Sequence, residues 1–347
     1  MIRSLPTRLA ARVRRRRERR TAAAEVDAFF ASASKPTVLY LIDAPGWAHD
    51  RKARNIIDLV ADEFDGHVLY ERFVRAEDIR RADMIVVFCW KQVGRAWLGV
   101  LRDELRRHPR VALGYTSHPL GDQREASIAT MTEIADLCFV NSRLLFDELA
   151  DAVPVAVHEA PNGVDTSFFH PAADRPSSIG RELRVGWAGS LTNHGDQRGY
   201  HDILVPAVDA VDGVTLVTAA REDAWRTADE MADWYHGIDV YLCASRHEGT
   251  PNPCLEAAAS GVPVVTTAVG NMPEFVDPGV NGLMVERDPA AFAAALSSLV
   301  DDRRRVEALG RAARATAVDE WDWSIMADRY RSLLRALLAG SQRPLNA

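Results

Sequence analysis

Lysine is nearly missing from this chain. Of its 42 Lys and Arg residues only three are lysine, Lys35, Lys52 and Lys91, and all precede residue 92. An enzyme carrying pyridoxal phosphate on a lysine of its C-terminal half is thereby excluded. There is no run of ~18 apolar residues, so no segment reads as membrane-spanning. No apolar stretch of ~7–15 residues follows the basic N-terminus, which argues against a secretory signal. The four cysteines, Cys89, Cys138, Cys243 and Cys254, form no C-x-x-C pair. They read as reduced core residues of a cytoplasmic protein rather than zinc ligands. Asp-x-Asp occurs nowhere in the chain, and no metal site is expected.

What remains is ordinary in bulk and uneven in distribution. The 347 residues are 47% hydrophobic and 26% charged, with a formal net charge of −7. That composition fits a soluble globular chain, and the length suggests two domains. The first 35 residues sum to +7 and the other 312 to −14. Nine arginines fall between Arg3 and Arg20, opposed only by Glu18. Residues 1–34 therefore read as a basic tail, either a solvated, partly helical extension or a dock for an anionic membrane surface through residues 1–20. In the second case Leu5, Leu9 and Val13 supply a thin apolar stripe. No aromatic interrupts the first 20 residues and the body is acidic, so no nucleic-acid partner is expected.

From Thr37 short apolar runs alternate with helical segments. TVLYLID, HVLYERF, DMIVVFC, RVALGYT and LCFVNS read as strands, with helices at Arg51–Glu63, Gln92–Arg107 and Arg143–Ala152. Residues 161–182 hold three prolines, two glycines and three serines and mark a linker. The alternation then restarts with LRVGWAG, VTLVTA, IDVYLCAS, VPVVTTA and GLMVE. Helices follow at Ala290–Leu299, Arg303–Ala317 and Trp323–Leu338, the last one amphipathic. The pattern predicts an α/β protein with two doubly wound, Rossmann-like domains, 35–172 and 183–318, and a C-terminal helix at 322–339. Such domains bind ligands at the carboxyl ends of their strands, which places a cleft between them.

The densest chemistry lies in HEGTPNPCLEAAASG, His247 to Gly261, directly after the strand IDVYLCAS. Asn252 suits a helix N-cap and Pro253 the first helical position. Glu248 then sits in the strand-to-helix loop and Glu256 one turn into the helix. Amides of Gly249, Thr250 and the first turn face the cleft, where a helix N-terminus favours phosphate. The two carboxylates are placed to accept sugar hydroxyls. The plainer alternative is a capped helix with two exposed acids.

The run EGTPNPCLEAAASGVPVVTTAVGNMPEFVDPGVNGLMV resembles the signature of the retaining glycosyltransferases of family 4, among the group 1 glycosyltransferases. PNGVDTSFFHP, VGWAGS, LCFVNSRLLFDEL and WDWSIMADRYRSLLRALL resemble further family segments in order. The likeness covers roughly 37–340 and is specific over 183–286. It implies the GT-B fold, with an N-terminal acceptor domain completed by the last helix and a C-terminal nucleotide-sugar-binding domain. It assigns Glu256 to the nucleotide ribose and Glu248 to the donor sugar. Gly249, Thr250, Pro251 and Asn252 line the sugar and diphosphate, and His118 lies near the reacting sugar. Gly189 and Ser190 form the Gly-rich turn. In the turn after the first strand, Gly46 lets the backbone approach the diphosphate, with His49 a weaker candidate and Trp47 a packing residue.

One departure stands out. Ser190 occupies the place of the family's first phosphate-binding arginine, and Arg198-Gly199 replaces its Lys-Gly pair after a longer insertion. Arginine binds phosphate bidentately, so Arg198 can do the lysine's work; otherwise it is a surface charge. His194 and Arg246 are the candidates to compensate for the missing arginine. The resemblance implies a metal-independent retaining transferase, with Glu248, His118 and Arg198 at the chemistry and a UDP-, GDP- or ADP-sugar as donor. No cofactor is expected. A glycan or lipid-linked acceptor is implied, in polysaccharide or glycolipid assembly, in the cytoplasm or peripheral on the inner membrane face. The rival readings are another GT-B enzyme such as an epimerase, and a non-catalytic paralogue that binds glycans or acts as a scaffold.

Overall fold

The computed structural model describes residues 7–118, 123–174, 177–192 and 195–340. Two parallel sheets lie in tandem. The first has six strands: β1 (Thr37–Ile42), β2 (Asp65–Tyr70), β3 (Met84–Val87), β4 (Val111–Tyr115), β5 (Leu137–Val140) and β6 (Ala156–Glu159), in the order β2-β1-β3-β4-β5-β6. The second has five: β7 (Leu183–Gly189), β8 (Val214–Ala220), β9 (Val240–Cys243), β10 (Val264–Thr266) and β11 (Gly282–Met284), in the order β11-β10-β9-β7-β8. β1, β3, β4, β5 and β9 are buried along their whole length, as expected of parallel strands covered on both faces. In each sheet the strand order reverses beside the first strand, between β1 and β3 and between β7 and β9. These are the switch points outside which open α/β sheets bind ligands.

Each sheet is sandwiched between two apolar layers. On one face of the first sheet, Val38, Tyr40, Ile42 and Phe139 pack against Tyr330, Leu333, Leu334 and Leu337 of the closing helix Trp323–Ala339. The last helix thus returns to the first domain. Arg331 pairs with Asp62 (2.8 Å) and Glu63 (2.6 Å), and Arg335 with Glu63 (2.6 Å). Where the chain passes between domains, two crossings are stitched together. The Val164 amide donates to the Trp321 carbonyl (2.9 Å), the Trp323 amide to the Val164 carbonyl (3.1 Å), and the Thr166 hydroxyl to Asp322 (2.6 Å).

The N-terminal segment differs from a solvated tail. Thr7–Ser32 is one helix. Its second half docks on the first sheet, with Val26 fully buried and Phe29 and Phe30 packed around it. Arg14 to Arg17, Arg19 and Arg20 stay exposed, and the Arg19 guanidinium lies 6.0 Å from the Trp97 ring. Residues 1–6 and the side chains of Leu9 and Val13 lie outside what is described, and with them the expected stripe.

Other elements depart from expectation in detail. The segment expected as one helix over 92–107 is broken into a 3-10 turn at Trp90–Gln92 and short helices Ala96–Gly99 and Arg102–Arg107. Gly94 and Gly99 lie at or near the breaks, and glycine is a poor helix former. The helix after β9 begins at Asn252, not Pro253, and Pro251 occupies the cap position without a side-chain cap bond. Asn252 instead accepts a hydrogen bond from Asn162 Nδ2 (2.9 Å), which ties this helix to the linker.

Candidate active site

A cavity of about 170 Å³ opens between the two sheets' carboxyl ends. Its walls are Lys91, Ser117 and His118 from the first domain and Gln197, Arg198, His247 and Glu248 from the second. Lys91 follows β3, His118 follows β4, Arg198 comes after β7 and Glu248 after β9. Both switch points therefore feed one pocket. The three residues expected at the chemistry, Glu248, His118 and Arg198, meet here.

Arg198 Nη1 donates to Glu248 Oε1 at 3.1 Å, and Ser245 Oγ donates to the same oxygen at 2.9 Å. The Glu248 carboxylate beside Arg198 raises the guanidinium's pKa further above its ordinary value, so the cation is permanent. Gly199 explains how Arg198 gets there. Its φ is +70°, and a Cβ would sit 2.6 Å from the Ala244 carbonyl, so only glycine lets the chain turn this close to the end of β9. The Arg198 side chain then runs past Gly189, where a Cβ would lie 3.4 Å from Arg198 Cδ.

His118 Nδ1 is 2.7 Å from Glu148 Oε2, and the Tyr115 hydroxyl donates to the other oxygen of that carboxylate. The ring is thus held at Nδ1, which leaves Nε2 for a ligand. The His247 ring centroid lies 5.7 Å from that of His118. Burial, then the neighbouring His118, push the His247 pKa below the ordinary imidazole range, which favours its neutral form.

Glu256 is not in this pocket. It lines a second cavity, of about 300 Å³, with Asn252 from its own helix, Asn162 from the linker and Arg51, Lys52 and Asn55 from the first domain. The Tyr235 hydroxyl donates to Glu256 Oε2 (2.8 Å), and burial raises the carboxyl's pKa above its usual range. Between the cavities lies Gly249. A Cβ there would fall 1.8 Å from the Thr116 carbonyl and 2.6 Å from the Asn141 amide group, so glycine is what allows the two domains to touch. Thr250 Oγ1 is buried beside it with no hydrogen-bond partner among the described residues. Pro251 is buried and caps the helix that carries Glu256. Across the same interface the Arg143 amide donates to Glu274 (2.6 Å).

The Gly-rich turn carries no cation at Ser190. Its hydroxyl donates to Glu222 Oε1 (2.5 Å), which also accepts from the amide and hydroxyl of Thr192 (3.2 and 2.8 Å), while Oε2 accepts from the Leu191 amide (2.9 Å). These donors hold the Glu222 carboxyl far below its usual range. The turn is thus pinned by a carboxylate that sequence inspection did not single out. Arg246 is exposed and faces a different cavity beside Arg287. His194 lies outside the described residues. Gly46 has φ +73°, and its amide is committed to Asp50 (2.7 Å). His49 stacks on Phe88 (5.6 Å). Trp47 packs in part, under the Arg221 guanidinium of the other domain (4.7 Å).

Two Rossmann-like sheets with facing carboxyl ends and a helix crossing back define a GT-B protein. Residues 185–302 match the family model described as glycosyl transferases group 1. Residues 185–302, about a third of the chain, are thus similar to the group 1 glycosyltransferases, and the fold agrees with that likeness. D-inositol 3-phosphate glycosyltransferase 1 of Catenulispora acidiphila is 37% identical over 114 residues, 33% of this chain and 27% of that protein. Alpha-maltose-1-phosphate synthase of Mycolicibacterium smegmatis is 26% identical over 256 residues, 60% of this chain and 65% of that protein. The chain thus spans between about a quarter and just under two thirds of these relatives. The crystal structure of Anabaena Alr3699/HepE in complex with UDP-glucose superposes with a TM-score of 0.70 at 15% identity, over 86% of this chain and 99% of that one.

Proposed function

We propose that the protein is a metal-independent, retaining glycosyltransferase that moves a sugar from a nucleoside-diphosphate sugar to a hydroxyl acceptor in the inter-domain cleft. The observation that carries this is the convergence of Arg198, Glu248 and His118 on one cavity at both switch points. Arg198 meets the diphosphate, Glu248 the donor sugar's hydroxyls and Glu256 the ribose in the adjoining cavity. The leaving diphosphate is stabilised by fixed cations and amides, a contribution that depends on their being in place beforehand. Glu248 already carries an ion pair and a hydroxyl bond on one oxygen, which suits a sugar ligand better than a nucleophile. The acceptor hydroxyl then attacks on the leaving-group face and passes its proton to the departing phosphate oxygen, with retention. No Asp-x-Asp is present to route the diphosphate through a metal.

The UDP-glucose complex of the Anabaena protein makes UDP-glucose the first donor to try. The names of the relatives, an inositol-phosphate transferase and a maltose-phosphate synthase, favour a polyol or glycan acceptor. For the exposed arginines of the first helix we propose contact with an anionic membrane surface, each basic residue near such a surface contributing about 1 kcal/mol. A panel of UDP-, GDP- and ADP-sugars assayed for nucleoside diphosphate release tests the catalytic reading. Ser190, bonded to Glu222 where the family has its first arginine, favours the non-catalytic alternative. Absence of both turnover and donor binding would establish that alternative instead.

A further inference from the structure

We infer that Lys91, from the first domain, is the second diphosphate-binding cation and replaces the arginine absent at position 190. This rests on the catalytic reading above and assigns a group that reading leaves open. Lys91 lines the same cavity as Arg198 and Glu248. Arg198 and Glu248 neutralise one another across 3.1 Å, so the pocket's surplus positive charge is that of Lys91. Its ammonium lies over the Trp90 ring at 5.7 Å, and no carboxylate among the described residues forms an ion pair with it.

The lysine is presented by a fixed turn. It is the middle residue of the 3-10 turn Trp90–Gln92 at the carboxyl end of β3. Gln92 is fully buried, donates from Nε2 to the Leu41 carbonyl of β1 (3.2 Å) and accepts the Cys89 amide (3.1 Å). That anchors the turn across the switch point. In the second domain the position that would supply the cation is Ser190, bonded to Glu222. A diphosphate entering beside Arg198 therefore meets its second positive charge from the facing domain. A donor bound this way bridges both domains, so closing the cleft and neutralising the leaving group become the same event.

The test is the affinity advantage of a nucleoside diphosphate over the monophosphate, measured by calorimetry for UDP/UMP, GDP/GMP and ADP/AMP. In Lys91→Met the advantage should fall at least tenfold for whichever pair binds, with monophosphate affinity little changed. Lys91→Arg should keep most of it, and Ser190→Arg added to Lys91→Met should restore part of it. Arg198→Met is the control. If Arg198→Met removes the advantage and Lys91→Met does not, Lys91 is no phosphate ligand and the inference is overturned. If Lys91→Met raises only an acceptor's KM, the inference is equally overturned. If neither variant alters nucleotide binding, or wild type binds none of the six nucleotides, the catalytic reading itself fails.

Discussion

Two buried charges set what single substitutions should do. Lys52 is 4% exposed, and its ammonium lies 5.0, 5.7 and 5.2 Å from the rings of Phe88, Phe139 and Tyr330. Burial lowers its pKa to about 7. An unfolded lysine titrates near ~10.4. Between those values the unfolded chain binds more protons than the folded one, so stability rises with pH from about 7 to about 10. Below that window both states are protonated and the contribution is flat. Lys52→Met should abolish this slope and stabilise the protein at pH 7 by about 1–4 kcal/mol, since the ring faces already return part of the burial cost. Chemical denaturation at pH 7 and 9.5 reads it. Glu256 carries a similar cost, because burial raises its pKa. Here the folded state holds its proton to higher pH, so the contribution weakens as pH rises through the raised value. Glu256→Gln should therefore stabilise the unliganded protein at neutral pH while weakening donor binding at least tenfold. A thermal shift with and without nucleotide separates the two effects.

At the scale of elements, Gly249 and the first helix make opposite claims. A methyl at Gly249 collides with the Thr116 carbonyl, which is backbone and cannot step aside. Gly249→Ala should keep both domains folded, hold them apart and cost at least tenfold in donor affinity. Small-angle scattering shows the separation and circular dichroism the intact domains. In the first helix, deleting residues 1–20 should leave stability nearly unchanged and abolish salt-sensitive binding to anionic liposomes. Deleting 1–32 also removes the buried Val26 and should cost about 1.5–3 kcal/mol or more. Equal liposome binding by both truncated forms and wild type would rule out the helix as the dock.

These elements also show what the sequence made legible. Buried parallel strands such as TVLYLI announce themselves as unbroken apolar runs. β6, AVHE, was not anticipated because it is a short edge strand, exposed or half-exposed along its length. The first helix read as a tail because its arginines dominate. Its anchoring residues Ala22, Val26, Phe29 and Phe30 nonetheless stand at helical spacing. In the site, the Glu248–Glu256 spacing was readable because one continuous loop-and-helix segment carries both. Lys91 was not, since it follows β3, a strand end that only the fold brings to the others. Two-domain sites are written in tertiary contacts, and no local periodicity marks them.

For the whole molecule, the acidic body, the basic helix and the two sheets resolve into one device. The closing helix and the stitched linker hold the halves so that four strand ends share a pocket of about 170 Å³. The most direct measurement is release of nucleoside diphosphate from UDP-glucose, and then from a GDP- and ADP-sugar panel, by wild type and Arg198→Ala in parallel. The structure-based account predicts turnover of at least one donor by wild type and a loss of at least tenfold in Arg198→Ala. Turnover that is unchanged in Arg198→Ala, or no turnover and no binding with any donor, would contradict it.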